Sequence, residues 1–121
     1  MDVINLSQQL LLAVKKRAVT NELRRKVATL SLTDLKAVLA TDNEKKAFWI
    51  NLYNAYYQIL RREIEMIYPA IFREAALPVA GAHFSLDDLE HGILRRFQYK
   101  HQPEDRERLF QPDLVKLLMV E

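Results

Sequence analysis

The sequence of 121 residues contains no cysteine, which excludes disulfides, thiolate metal sites, iron–sulfur clusters and a cysteine nucleophile within this chain. Its two glycines, Gly81 and Gly92, cannot build a glycine-rich phosphate-binding loop. With only four prolines, the composition is neither collagen-like nor linker-like. The remaining profile, 50% hydrophobic and 28% charged residues, predicts a single globular domain over residues 1–121.

The sequence also lacks a strong excess of one charge. It has 18 Lys and Arg residues and 16 Asp and Glu residues, for a formal net charge of +2. So close a balance is not typical of nucleic-acid-binding proteins, and no nucleic-acid partner is predicted. The basic residues nevertheless concentrate before Leu30. We interpret them as a solvated helix face, with a basic adaptor surface for acidic partners as the alternative. They are Lys15, Lys16, Arg17, Arg24, Arg25 and Lys26.

Long hydrophobic runs are absent near the start of the chain. The longest, from Leu10 to Val14, is too short for a signal-peptide core or a membrane-spanning helix. Asp2 places a negative charge where a signal peptide carries positive ones. We therefore expect a cytoplasmic protein that does not bind membranes.

Apolar residues at three- and four-residue intervals predict helices through the first half of the chain. The first helix is expected over Val3 to Val19, a second after a cap at Thr20 or Asn21, and a third after a Ser31–Asp34 cap. A long central helix is expected from about Glu44 to Met66.

The character of the sequence changes after Pro69. The segment Leu77–Phe84, with a turn at Gly81, predicts a short β-hairpin, and a Ser85–Asp88 cap starts another helix. Residues 98–113 are polar and predict an exposed loop. The fold class predicted is α+β and predominantly helical, with four or five helices around a buried central helix and one small β-hairpin.

The central helix is apolar around nearly its whole circumference, which indicates burial. One narrow polar stripe crosses it, formed by Asn51, Asn54 and Gln58. A buried amide without a partner costs about 1–3 kcal/mol. We therefore expect Asn51 and Asn54 to be substantially buried and hydrogen-bonded near the start of the helix at Ser85–His91.

Residues of the types that bind metal ions occur near the start of that helix. Asp87 and His91 are one helical turn apart, Asp88 lies three residues before His91, and His83 precedes the helix. Carboxylates in a first helical turn are also favoured by the helix dipole. We interpret both aspartates as capping and surface-pairing groups, and we predict no metal and no cofactor.

Glu90 and His91 are the next candidates for chemistry. Adjacent side chains on an α-helix point about 100° apart, so these two are not expected to pair directly, and Asp87 is the expected acceptor for His91. Two interpretations remain open. His91 and Glu90 are either structural hydrogen-bonding groups or a histidine oriented by a carboxylate for proton transfer.

Two strings of the sequence together resemble the domain-of-unknown-function family 547. They are KKAFWINLYNAYYQILRRE, from Lys45 to Glu63, and FSLDDLEHGILRRFQYK, from Phe84 to Lys100. This family is found in bacterial proteins and in plant leucine-zipper-associated proteins, and the resemblance covers most of the chain. It implies that Asn51, Asn54, Glu90 and His91 belong to a polar, catalytic-type site.

In that family, a tail like Leu109–Glu121 is expected to continue into a block that carries a histidine, an asparagine and two cysteines. The resemblance therefore implies that this chain is the N-terminal part of the family domain, a truncated form. Without the block, apolar surface on the Trp49, Tyr53 and Tyr56 face or on Leu114–Val120 is expected to lack cover. We therefore expect the chain either to form a homodimer through that surface or to refold its last helix into the vacant groove.

The function predicted is therefore that of an uncharacterised protein that is non-catalytic by itself or acts as an interaction module. The first alternative is an incomplete thiol-dependent hydrolase or acyl-transfer domain whose cysteine-bearing segment is missing. The second alternative is the basic adaptor surface. The sequence does not indicate which small molecule or peptide would be bound.

Overall fold

The computed structural model of the chain describes residues 2–94, apart from the side chains of residues 36, 92 and 94. The predicted loop at residues 98–113 and the apolar run Leu114–Val120 lie outside the described residues. Within residues 2–94 the fold is α+β and predominantly helical, as predicted.

Six helical segments and one hairpin follow one another along the described part of the chain. The fifth segment has only four residues, too few to show a helical period in the sequence, and this explains why four or five helices were predicted. The elements are α1 (Val3–Lys15), α2 (Asn21–Ala28), α3 (Leu32–Val38), α4 (Asp42–Arg62), α5 (Ala70–Arg73), β1 (Leu77–Val79), β2 (Ala82–Phe84) and α6 (Asp88–Leu94), the last being a π-helix.

Local caps fix the starts of α3 and α4, whereas Thr20 precedes α2 without a side-chain cap. The Ser31 hydroxyl accepts a hydrogen bond from the Asp34 amide at 3.0 Å. At the start of α4, Thr41 and Glu44 form a reciprocal capping box, in which each side chain accepts from the other residue's backbone amide. The caps therefore set α4 at Asp42–Arg62, slightly earlier than the predicted range.

The end of α1 differs from the prediction, because the helix stops at Lys15 rather than near Val19. Arg17 adopts a left-handed backbone conformation, with φ 57°. Its amide donates to the Val14 carbonyl at 3.0 Å, and the Ala18 amide donates to the Ala13 carbonyl at 2.9 Å. This is the hydrogen-bond pattern of a Schellman motif, which terminates a helix.

The core lies mainly between α1 and α4. The buried apolar side chains of α1 are Val3, Leu6, Leu10 and Val14, and those of α4 are Phe48, Trp49, Leu52, Ala55, Tyr56, Ile59 and Leu60. Each Å² of apolar surface removed from water stabilises the fold by about 25 cal/mol, so this contact is the main source of stability.

Burial of α4 is less complete than predicted. Ile50 is 45% exposed, and Tyr53 and Tyr57 are half-buried, so the helix keeps one side toward solvent. Trp49 and Tyr56, in contrast, are buried. The core of residues 2–94 thus already covers the Trp49 and Tyr56 rings, whereas the other predicted location of uncovered surface, Leu114–Val120, lies outside the described residues.

The β-hairpin is confirmed, with Leu77 opposite Phe84 and Val79 opposite Ala82. Its turn residues Ala80 and Gly81 both have positive φ, 51° and 81°. Their amides donate to the Val27 and Ala28 carbonyls at 3.1 and 2.9 Å. Since a hairpin this short is not stable alone, its attachment to the end of α2 supports it and places the start of α6.

Candidate functional site

The entry into α6 is held by a buried reciprocal cap. The Ser85 amide donates to Asp88 Oδ2 at 2.7 Å, and the Asp88 amide donates to Ser85 Oγ at 3.0 Å. Both side chains are 0% exposed. This confirms the predicted Ser-x-x-Asp cap and fixes the direction in which the following residues project.

Three chemically active side chains meet at the start of α6, Glu90 and His91 from the helix and Asp87 from the residue just before it. His91 Nε2 lies 3.3 Å from Glu90 Oε2 and 4.0 Å from Asp87 Oδ1. Asp87 and His91 are buried, whereas Glu90 is about one-third exposed, at 36% of its side chain. The cluster is therefore a largely enclosed histidine with two carboxylates beside it, open to solvent on the Glu90 side.

The prediction that Glu90 and His91 do not pair directly is wrong. The expected angle of about 100° between neighbours applies to an α-helix. A π-helix closes i→i+5 hydrogen bonds and has more residues per turn, so adjacent side chains are closer in direction. The π-helical form of α6 thus lets the Glu90 carboxylate reach the imidazole that follows it.

The predicted contact between His91 and Asp87 lies at the outer limit of an ion pair, at 4.0 Å. Asp88 is the capping residue of α6, whereas Asp87 lies beside His91. Of the predicted capping and surface-pairing roles, Asp88 takes the first, and Asp87 is paired beside His91 but is buried rather than on the surface.

Tyr53 on α4 faces this cluster. Burial raises the pKa of its phenol to about 12, with further contributions from the negative charges of Glu90 and Asp87 and from Tyr57. A phenol with so high a pKa stays protonated at neutral pH and can donate a hydrogen bond. Sequence reasoning placed Tyr53 in an apolar stripe, and an aromatic pattern does not show which ring faces a carboxylate.

The two asparagines do not meet the start of α6. Asn51 is half-buried, and its Nδ2 donates to Ser7 Oγ at 3.1 Å, across the contact between α4 and α1. Asn54 is exposed. The predicted burial of Asn54 and the predicted partners of Asn51 are therefore wrong. The reason is geometric, because Asn51 and Tyr53 lie about 200° apart around α4, and Tyr53 takes the side near the carboxylates.

The same cluster has donor atoms of the kind that bind divalent cations. One ligand atom from each of Asp87, Glu90 and His91 lies within 4.8 Å of the others. Two carboxylate oxygens and one imidazole nitrogen suit manganese, iron or zinc. The geometry thus has two chemical uses, namely proton transfer by His91 or coordination by all three side chains.

The described fold is a small helical α+β domain with a histidine–carboxylate cluster on its last helix. The family model for "Protein of unknown function, DUF547" matches residues 38–118. The chain belongs to this family, which confirms the resemblance found in the two motif strings. No curated protein matches the chain, and no solved structure does.

Among residues 2–94, no helix combines the length and the apolar character needed to cross a bilayer.

Proposed function

We propose that the α6 cluster is a proton-transfer site in which His91 accepts and returns a proton during hydrolysis or acyl transfer. The observation that carries this proposal is the position of the buried His91 Nε2, 3.3 Å from Glu90 Oε2 and 4.0 Å from Asp87 Oδ1. Carboxylates beside an imidazole stabilise the imidazolium that forms when the ring takes a proton.

Tyr53 on α4 supports this assignment, because the charges of Glu90 and Asp87 act on its phenol. Its neutral phenol, whose pKa is raised to about 12 by burial and by the two carboxylates, can donate to a developing negative charge. The site therefore combines a base with a hydrogen-bond donor, the pairing that acyl transfer requires.

Acyl transfer also requires a nucleophile. The chain contains no cysteine, so a thiol would have to come from outside these 121 residues. We propose that the chain by itself is a non-catalytic module for thiol chemistry and provides the acid–base half of the reaction. A thiol-bearing segment or partner chain would provide the other half.

An added thiol tests this proposal directly. With 2-mercaptoethanol and p-nitrophenyl acetate, the protein should accelerate thiol attack on the ester, because His91 removes the thiol proton. His91→Gln should lose most of the protein-dependent rate, and Glu90→Gln and Asp87→Asn should lower it. The matched control is His83→Gln, which changes an exposed histidine on the neighbouring strand.

Thermal melting of each variant must accompany the rates, since His91 is buried. If a folded His91→Gln variant keeps the rate, or if His83→Gln loses it equally, the proton-transfer proposal is wrong.

A divalent-cation site is the second candidate, favoured by the three donor atoms within 4.8 Å. Titration with Mn²⁺ or Zn²⁺ at fixed pH distinguishes the two. If proton transfer is the function, neither metal binds stoichiometrically and EDTA leaves the melting temperature unchanged. One-to-one binding that Asp87→Asn abolishes, together with a fall in melting temperature in EDTA, would favour the metal site.

Asn51 and Asn54 are not required by either candidate. Their membership of the functional site stays a prediction that the family resemblance alone supports. Asn54→Ala in the thiol assay tests it, because this exposed side chain can be removed without disturbing the core.

A further inference from the structure

A cavity of about 340 Å³ lies between the C-terminal halves of α1 and α4, away from the α6 cluster. Its apolar lining comes from Val14, Ala18 and Ile59. Its polar lining comes from Arg17, Gln58, Arg62 and Glu63. The cavity thus combines an apolar surface with two guanidinium groups, a combination suited to a small amphiphilic anion.

The charges around the cavity are unevenly paired. Glu63 Oε2 lies 3.7 Å from Arg24 Nη2, so its charge is offset by α2. Within residues 2–94, neither Arg17 nor Arg62 has a hydrogen-bond or ion-pair partner for its side chain. Two guanidiniums without partners leave the cavity with a net positive charge, and guanidiniums bind carboxylate and phosphate oxygens in bidentate geometry.

The backbone at Arg17 offers a way to remove its side chain selectively. Arg17 occupies the left-handed position of the Schellman motif, with φ 57°. Glycine is the usual residue there, because a Cβ is disfavoured in this conformation. Arginine therefore suits this backbone less well than glycine, and a glycine substitution can remove the guanidinium without straining the turn.

We propose that this cavity binds a small organic anion, with a carboxylate or phosphate group on a short apolar chain. Arg17 and Arg62 hold the anionic group. Val14, Ala18 and Ile59 contact the apolar chain. The site is separate from the proton-transfer site, and its occupancy does not depend on any reaction there.

The experiment is isothermal titration calorimetry with n-butyl phosphate and with butyrate as probes, and with 1-butanol as the uncharged comparison. At least one anion should bind with one-to-one stoichiometry, more weakly as NaCl is raised, and 1-butanol should not bind. The preferred anion identifies the ligand group as phosphate or carboxylate.

Variants then assign the binding to the cavity. Arg17→Gly and Arg62→Gln should each weaken binding by about tenfold or more, as loss of a charge-assisted pair requires. The matched control is Arg61→Gln, which removes an exposed charge next to Arg62 but outside the cavity lining. It should change the affinity by less than about twofold, because salt screens exposed charges.

Arg17→Gly also separates binding from folding. Glycine fits the left-handed backbone better than arginine does, so the melting temperature of this variant should be unchanged or higher while its affinity falls. Absence of binding by both anions would overturn the proposal. An equal loss of affinity in Arg61→Gln would also overturn it, because the attraction would then be unspecific.

Discussion

The Asn51 side-chain amide donates a hydrogen bond to the Ser7 hydroxyl at 3.1 Å and thereby joins α4 to α1. Ser7 is 0% exposed, and its hydroxyl donates in turn to the Ile4 carbonyl at 2.6 Å. The polar stripe of α4 is therefore used in part to register the two helices that form the core. This role accounts for an amide on an otherwise apolar helix without any contact with α6.

Asn51→Leu should lower the free energy of unfolding by about 1 kcal/mol, because it removes this hydrogen bond while Ser7 keeps its bond to Ile4. Urea denaturation measures the change. The matched control is Asn54→Leu, one turn further along α4 and exposed, which should stay within about 0.5 kcal/mol of the original chain. Equal effects of the two substitutions would show that the Asn51–Ser7 bond contributes nothing specific.

Features that depend on short sequence separations were predicted well. The caps at Ser31 and Ser85 involve residues three apart, and a cap needs only a hydroxyl and nearby free amides. The hairpin at Gly81 is of the same kind. The partner of Asn51 is 44 residues away, and no local pattern identifies such a partner.

Gly81→Ala should destabilise the protein by about 1 kcal/mol through the backbone alone. Gly81 has φ +81°, and a Cβ built there meets no atom within 4 Å, so no steric clash contributes. A side chain in the left-handed region costs about 1–2 kcal/mol. Thermal or urea unfolding provides the measurement, and an unchanged stability would mean that the turn relaxes to another conformation.

The candidate cluster was predicted only in part, because Asn51 and Asn54 lie away from it. Glu90 and His91 were identified, yet their contact at 3.3 Å depends on the π-helical form of α6. A seven-residue segment has no sequence period that distinguishes a π-helix from an α-helix. Tyr53 was missed because its neighbours across the site come from a helix far along the chain.

Tyr56→Phe should raise the free energy of unfolding by about 0.5–1 kcal/mol. The Tyr56 hydroxyl is buried, and among the residues that the structure describes it has no hydrogen-bond partner. Removing an unsatisfied buried hydroxyl relieves its desolvation cost and keeps the packing of the ring. A loss of stability in urea denaturation would show that the hydroxyl is bonded in solution.

Alkaline pH should destabilise the protein between about pH 10 and pH 12. Burial raises the pKa of Tyr56 from 10.0 to about 12, with Arg24 opposing part of the rise. In this window the unfolded state has lost the phenolic proton and the folded state still holds it, so stability falls as pH rises. For Tyr56 this contribution is fully present below pH 10 and is lost by at most about 1.4 kcal/mol per pH unit. Urea midpoints at pH 9, 10, 11 and 12 measure the fall in stability. Tyr56→Phe should make this fall shallower, because it removes one of the two phenols with a raised pKa, and Tyr53 still contributes. The same slope in both proteins would contradict the assignment of this transition to Tyr56.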